Sequence, residues 1–171
     1  MAKKNAIGLK SILIGAIAND GGMGTSLTEV FGQTVKGSAV LSSTPVESTS
    51  IEVEETSDPI MDIVTGGGAF EYKWSSYNLD ADALVAAFGG NTSGSAPNKI
   101  WEAPDSIPTI EKSIKAETAN GIQVSSPRVS IKAELTFNFQ KENPAQIAFT
   151  ATVLVPTKAS TSKLTIGTPA P

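Results

Sequence analysis

Residues 128–140 read Arg-Val-Ser-Ile-Lys-Ala-Glu-Leu-Thr-Phe-Asn-Phe-Gln. Apolar and polar side chains alternate through all thirteen positions. Val129, Ile131, Ala133, Leu135, Phe137 and Phe139 fall on one side; Arg128, Ser130, Lys132, Glu134, Thr136, Asn138 and Gln140 fall on the other. A repeat of two is the signature of an antiparallel strand with one buried face. At about 3.3 Å per residue such a strand would run about 43 Å, so it must bend around a sandwich or project as a ribbon.

Working outward, Glu142-Asn143-Pro144-Ala145 is a turn, and Ile147–Val155 returns as a second alternating strand. Its inward set is Ile147, Phe149, Ala151, Val153 and Val155, and Pro156 ends it. The opposite face, with Thr150 and Thr152, is small and uncharged, which suits a surface that meets another subunit. Upstream, Ile107–Thr118 reads as a strand, and Asn120-Gly121 is a hairpin turn leading to Ile122 and Val124. Phe70, Tyr72 and Trp74 alternate with Glu71, Lys73 and Ser75, a stripe read as core packing and not as a ligand platform. Ile51 and Val53 mark a strand with Glu52 and Glu54 facing out, and Val35–Ser42 is a further candidate. Ser11–Ala18 is read as a first strand and not a signal segment, because Lys10 interrupts the apolar stretch and Gly8, Ser11 and Gly15 dilute it. No stretch approaches the length of a membrane-spanning helix.

One helix is expected, from Leu79 to Gly90, with Asp80 capping its first turn, a stripe of Leu84, Val85 and Phe88, and Gly89 at its end. The long Gly/Ser/Asn/Pro-rich loop 90–106, which holds Trp101, follows it. The Ser/Thr/Lys/Pro-rich tail 157–171 is expected to be loosely held, or ordered only by a neighbour. The reading is therefore one mainly β domain over 1–156, a bent antiparallel β-sandwich with a flanking helix, and a C-terminal arm over 157–171.

Composition narrows the chemistry. The 171 residues contain no cysteine and no histidine, which removes disulfides, Cys/His metal sites and histidine-based nucleophile systems. A net charge of −4 disfavours a grip on nucleic-acid phosphates. The charge is uneven: +1 over residues 1–50, −8 over 51–105 and +3 over 106–171. That acidic middle is either a solvated face or a surface built to repel an anion or meet a complementary partner. Gly32–Ser38 has phosphate-loop spacing with its lysine misplaced, Gly22-Met23-Gly24 lacks the third glycine of a dinucleotide fingerprint, and Asp80 and Asp82 do not face one another on a helix. No cofactor or metal is implied, and the expectation is a protein that is not an enzyme.

The order of elements resembles the major tail tube protein of long-tailed (siphovirus-like) bacteriophages. Three stretches carry the likeness: Ser11–Gly24 as opening strand and turn, Ser76–Gly90 as the single helix, and Asn120-Gly121 followed by Pro127-Arg128 and the hairpin ending Val153-Leu154-Val155-Pro156. The resemblance implies a tail-tube-like sandwich, six copies to a ring, and rings stacked into a hollow tube in the virion tail, assembled in the bacterial host cytoplasm. It implies a lumen that first holds a tape-measure protein and later passes DNA without binding it, and tail terminator or distal tail proteins at the ends. On that expectation loop 90–106 and the arm 157–171 bridge rings. Trp101, Lys112, Lys115, Lys132, Thr150 and Thr152 are candidate inter-subunit contacts, and Glu52, Glu54 and Glu55 are candidate lumen-facing acids. An inner-tube subunit of a contractile injection system and an extracellular β-sandwich adhesin or binding module stand as alternatives.

Overall fold

The computed structural model describes residues 5–168 of the chain. In chain order the strands are β1 (Leu9–Gly15), β2 (Leu27–Thr28), β3 (Val40–Ser43), β4 (Glu47–Ile51), β5 (Met61–Gly66) and β6 (Phe70–Ser76). Helix α1 (Ala81–Phe88) follows, then β7 (Asn91–Ser93), β8 (Ile100–Glu102), β9 (Ile110–Thr118), β10 (Gln123–Thr136), β11 (Gln146–Val153) and β12 (Thr165–Gly167). The principal sheet runs β2-β1-β9-β10-β11-β6-β3, with β12 paired to the start of β10, and every pairing is antiparallel. The fold is mainly β with a curled antiparallel sheet and one short helix, as the alternation predicts.

The β10–β11 hairpin is the spine. Its register pairs Val129 with Val153, Ile131 with Ala151, Ala133 with Phe149 and Leu135 with Ile147, so the two inward sets share one face. Thr118 and Ile122 close the β9–β10 turn by backbone hydrogen bonding, with Gly121 at φ 81° where a side chain would be strained. The buried set gathers Ile14, Ile114, Val129, Ile131, Ile147, Phe149, Ala151, Trp74 and Phe31 into one cluster. Trp74 stacks on Phe149 at 4.8 Å and Phe31 tilts against the same ring at 4.4 Å. The aromatic stripe is core, as its strand spacing indicates.

Curling is visible in one hydrogen bond. Tyr72 shares a row with Ala151 and Ile131, yet its hydroxyl lies 2.8 Å from that of Ser126, further back along β10. In a flat sheet those positions would be roughly 16 Å apart from strand spacing and rise. Only a coiled sheet brings them within reach of a phenol. The bulge between Ser126 and Val129 supplies local bending.

Several expectations are corrected. The long strand starts earlier, at Gln123, and ends at Thr136; Leu135, Phe137 and Phe139 are exposed, the last at 93%. Leu135 still pairs with Ile147 at the end of the sheet, and Phe137 and Phe139 lie beyond it, because the pairing stops at Thr136 and Gln146 and no strand of the described residues covers the hairpin tip. Val155 is likewise exposed, beyond the end of β11. Of the Val35–Ser42 candidate only residues 40–42 are strand, in a β3 that runs on to Ser43; Val35 and Ser38 form a turn held by Ser38 donating to the Val35 carbonyl. The upstream strand starts at Ile110, and Ile107 is exposed.

In α1 the buried face is Ala83, Ala87 and Phe88, while Leu84 and Val85 are half-buried. Small side chains let the helix approach the sheet closely, which outweighs the greater hydrophobicity of the leucine and valine. The Asp80 side chain makes no cap hydrogen bond; the Asn78 side chain accepts from the Asp80 N–H instead. Gly89 ends the helix at φ 74°, donating its N–H to Val85.

Loop 90–106 is not a free excursion. It holds the β7–β8 hairpin, and Trp101 returns to α1, tilting on Phe88 at 5.9 Å and donating its indole N–H to the Gly89 carbonyl at 2.9 Å. The C-terminal arm is not loose as far as it is described. Lys158 pairs with Asp20 at 2.7 Å, Leu164 packs against the core, Lys163 lies over the Phe70 ring, and Thr165–Gly167 pair with Gln123–Ser125. Residues 169–171 of the expected arm lie outside the described residues.

Candidate interaction surface

The face of the sheet opposite the core carries most of the contact candidates. Cross-strand register sets Lys132, Thr150 and Lys73 in one row, and Ser130, Thr152 and Glu71 in the next. Glu111 extends the second row through Ser130. Neighbouring strands are about 4.8 Å apart, so Thr150 separates the two ammonium groups' strands and lessens their repulsion. Lys73 also reaches Glu71 at 3.3 Å. The patch is polar and of mixed charge.

At its edge Arg128 grips Glu111 with two nitrogens, at 2.8 and 3.0 Å, and donates a third bond to the Val155 carbonyl. Hydrogen bonding to that guanidinium holds the Glu111 carboxyl below its ordinary range and raises Arg128. Lys115 lies on the same face near the other edge, in register with Leu13 and Ser125. Lys112 does not join them: it stands opposite Val129, on the side of the sheet that carries the core. Trp101 is half-buried against α1.

The acidic candidates are placed differently from expectation. Glu52 and Glu54 do not share a strand face, because β4 ends at Ile51 and residues 52–60 form the turn of the β4–β5 hairpin. Glu52, Glu54 and Glu55 are exposed there, with Asp58 in the same turn. The hairpin forms its own two-stranded sheet outside the main one. Its base is clamped: Thr44 and Ala69 exchange backbone and side-chain hydrogen bonds at 2.9 Å. Register puts Ile51 beside Met61 and Thr49 beside Ile63, giving one apolar face, while Ser50 and Asp62 share the other. Ile51, Ile60, Met61, Ile63 and Val64 are all exposed.

Sequence reading missed β5 and the projecting hairpin. A signal exists: Thr44-Pro45 and the glycines 66–68 bracket a segment whose two ends are apolar and whose middle holds Pro59 and five acids in residues 52–62. The polar Ser48-Thr49-Ser50 run hides the alternation of β4. Among the described residues no group of acids is arranged to hold a metal ion, and no helix is long and apolar enough to cross a membrane. Compared with known proteins, the chain matches no family model and no curated protein.

Proposed function

We propose that this chain is a structural subunit that assembles with copies of itself, as the resemblance to tail tube proteins suggests: rings stacked into a tube that conducts DNA. The observation that carries the reading is the β4–β5 hairpin. A two-stranded hairpin alone is at best marginal in water, yet this one shows its apolar face, Ile51, Met61 and Ile63, to solvent. Such an arm gains stability when a neighbouring chain covers it. The Lys132–Thr150–Lys73 patch and the exposed phenylalanines at the β10–β11 tip are further surfaces of the kind a ring or stack would bury. Trp101 and the arm after Pro156 serve their own chain first, so the bridging role passes from loop 90–106 and the tail to the hairpin.

Within this reading the tape-measure protein and the terminator and distal tail proteins are partners of the assembled tube, and its place is the virion tail. The acids of the hairpin turn suit a contact between subunits better than a channel wall, since they ride on an arm. Negative-stain microscopy and sedimentation velocity over rising concentration test the proposal. Rings or hollow filaments are expected; a monomer that persists at the highest concentration overturns it.

A further inference from the structure

Beside β3 lies an apolar groove of about 910 Å³, walled by Leu9, Ile12, Val40, Leu41 and Val124 among others. Its volume is that of a site that takes a partner's side chains or a sizeable ligand. Three lysines line it, Lys10, Lys36 and Lys73, against a single acid, Glu29. Lys10 pairs with Glu117 and Lys73 with Glu71, while Lys36 has no carboxylate within 4 Å among the described residues.

The hairpin is the complement of this groove in both respects. It is apolar on one face, and residues 37–72 contain seven acids and no basic residue. Its clamped base at Thr44 and Ala69 leads it out of its own fold, so the hairpin does not lie in the groove of the chain that carries it.

We infer that the β4–β5 hairpin of one copy seats in the β1–β3 groove of a second copy, with Ile51, Met61 and Ile63 against its apolar wall and the hairpin acids toward Lys36 and its neighbours. This rests on the self-assembly reading and names the two surfaces that carry it. Hairpin and groove are different patches, so the contact is head-to-tail. A pair joined this way keeps one free hairpin on one copy and one free groove on the other, and the contact propagates until a ring closes or a filament grows. Attraction between the acidic turn and the lysine rim also makes association fall as salt rises.

Zero-length carbodiimide coupling of carboxylates to lysines tests this on an equal mixture of ¹⁴N- and ¹⁵N-labelled full-length chain. Mass spectrometry of the digests should find mixed-isotope links joining acids of residues 47–62 to Lys36, Lys10 or Lys73. Ile63→Asp on the exposed hairpin and Val40→Asp on the exposed rim of the groove should each cut the yield of those links at least tenfold, with circular dichroism unchanged. Same-isotope links alone would place the hairpin in its own groove and overturn the inference. Assemblies that form with links elsewhere, or that survive both substitutions, overturn the pairing and leave self-assembly standing. A monomer with no mixed-isotope link overturns both.

Discussion

Replacing Tyr72 or Ser126 probes the coiling of the sheet directly, because their hydroxyls meet at 2.8 Å only if the sheet curls. Both are buried, Tyr72 at 5% exposure and Ser126 at 0%. In Tyr72→Phe the Ser126 hydroxyl loses its partner, and in Ser126→Ala the phenol loses its own. Each single change should cost about 1–3 kcal/mol, most of it the desolvation of the orphaned group. The double variant removes both polar groups together and should cost less than the sum of the singles by about 0.5–3 kcal/mol. Urea unfolding followed by fluorescence of the two tryptophans gives all four corners of the cycle at pH 7.

The same pair has an alkaline signature. Burial pushes the Tyr72 phenol up to about 12, and the Ser126 hydrogen bond opposes that rise. A folded value above the unfolded value of about 10 means that the stabilising difference is complete below pH 10 and fades as pH climbs toward 12. Two units correspond to roughly 3 kcal/mol at most. Tyr72→Phe should therefore flatten stability between pH 10 and 12, and Ser126→Ala should move the phenol higher still. Absorbance titration in a Tyr77→Phe background, which leaves one tyrosine, reads that shift. Additive singles at pH 7, or a phenol that titrates lower in Ser126→Ala, would refute the coiled geometry.

Three other outcomes are expected. Glu111→Gln should flatten the acid limb of stability: Arg128 lowers the Glu111 carboxyl, so its contribution is present above the ordinary carboxylate range and is lost as pH falls through the lowered value, which acid titration of urea midpoints would record. Gly24→Ala should destabilise by about 1–3 kcal/mol, since a Cβ there would sit 2.1 Å from the Ala16 carbonyl oxygen and 3.3 Å from Ser113 Cβ; unchanged thermal midpoints would refute this close approach. Ending the chain at Pro156 should lower the thermal midpoint by several degrees, because β12, Leu164 and the Lys158–Asp20 pair go with the arm; a midpoint equal to that of the full chain would show the arm to be dispensable for the fold.

What could be read in the sequence depended on where the covering surface came from. Val129, Ile131 and Ala133 alternate against Ile147, Phe149 and Ala151, each set covered by the same core, so pattern and structure agree. Asn120-Gly121 announces its turn because the left-handed residue is a local requirement. Thr165–Gly167 does not announce β12: three residues carry no period, and their partner lies some forty positions away. Ala83 and Ala87 escaped notice as the helix's buried face because hydrophobicity ranks Leu84 and Val85 above them, whereas close approach ranks them below. Of the contact candidates, Lys132, Thr150 and Thr152 were legible because strand parity alone gathers them on one face. The same parity sets Lys112 apart from them: in β9 it keeps the phase of Ile110 and Ile114, which is the core side.

The overshoot of the long alternation bears on function for the same reason. Phe137 and Phe139 keep the apolar phase of Val129 and Ile131 in sequence after β10 has ended at Thr136. The Phe137 and Phe139 rings, 5.1 Å apart, cover each other only in part. Leaving a phenylalanine side chain in water forgoes about 1.5–3 kcal/mol relative to burial, so the tip and the Ile51–Met61–Ile63 face together hold back several kcal/mol that the isolated chain does not recover. Strand-period alternation reports which side chains need cover, and is silent on which chain provides it. Where the fold ends and the alternation continues, as at Phe137 and Phe139, the apolar side chains stay exposed.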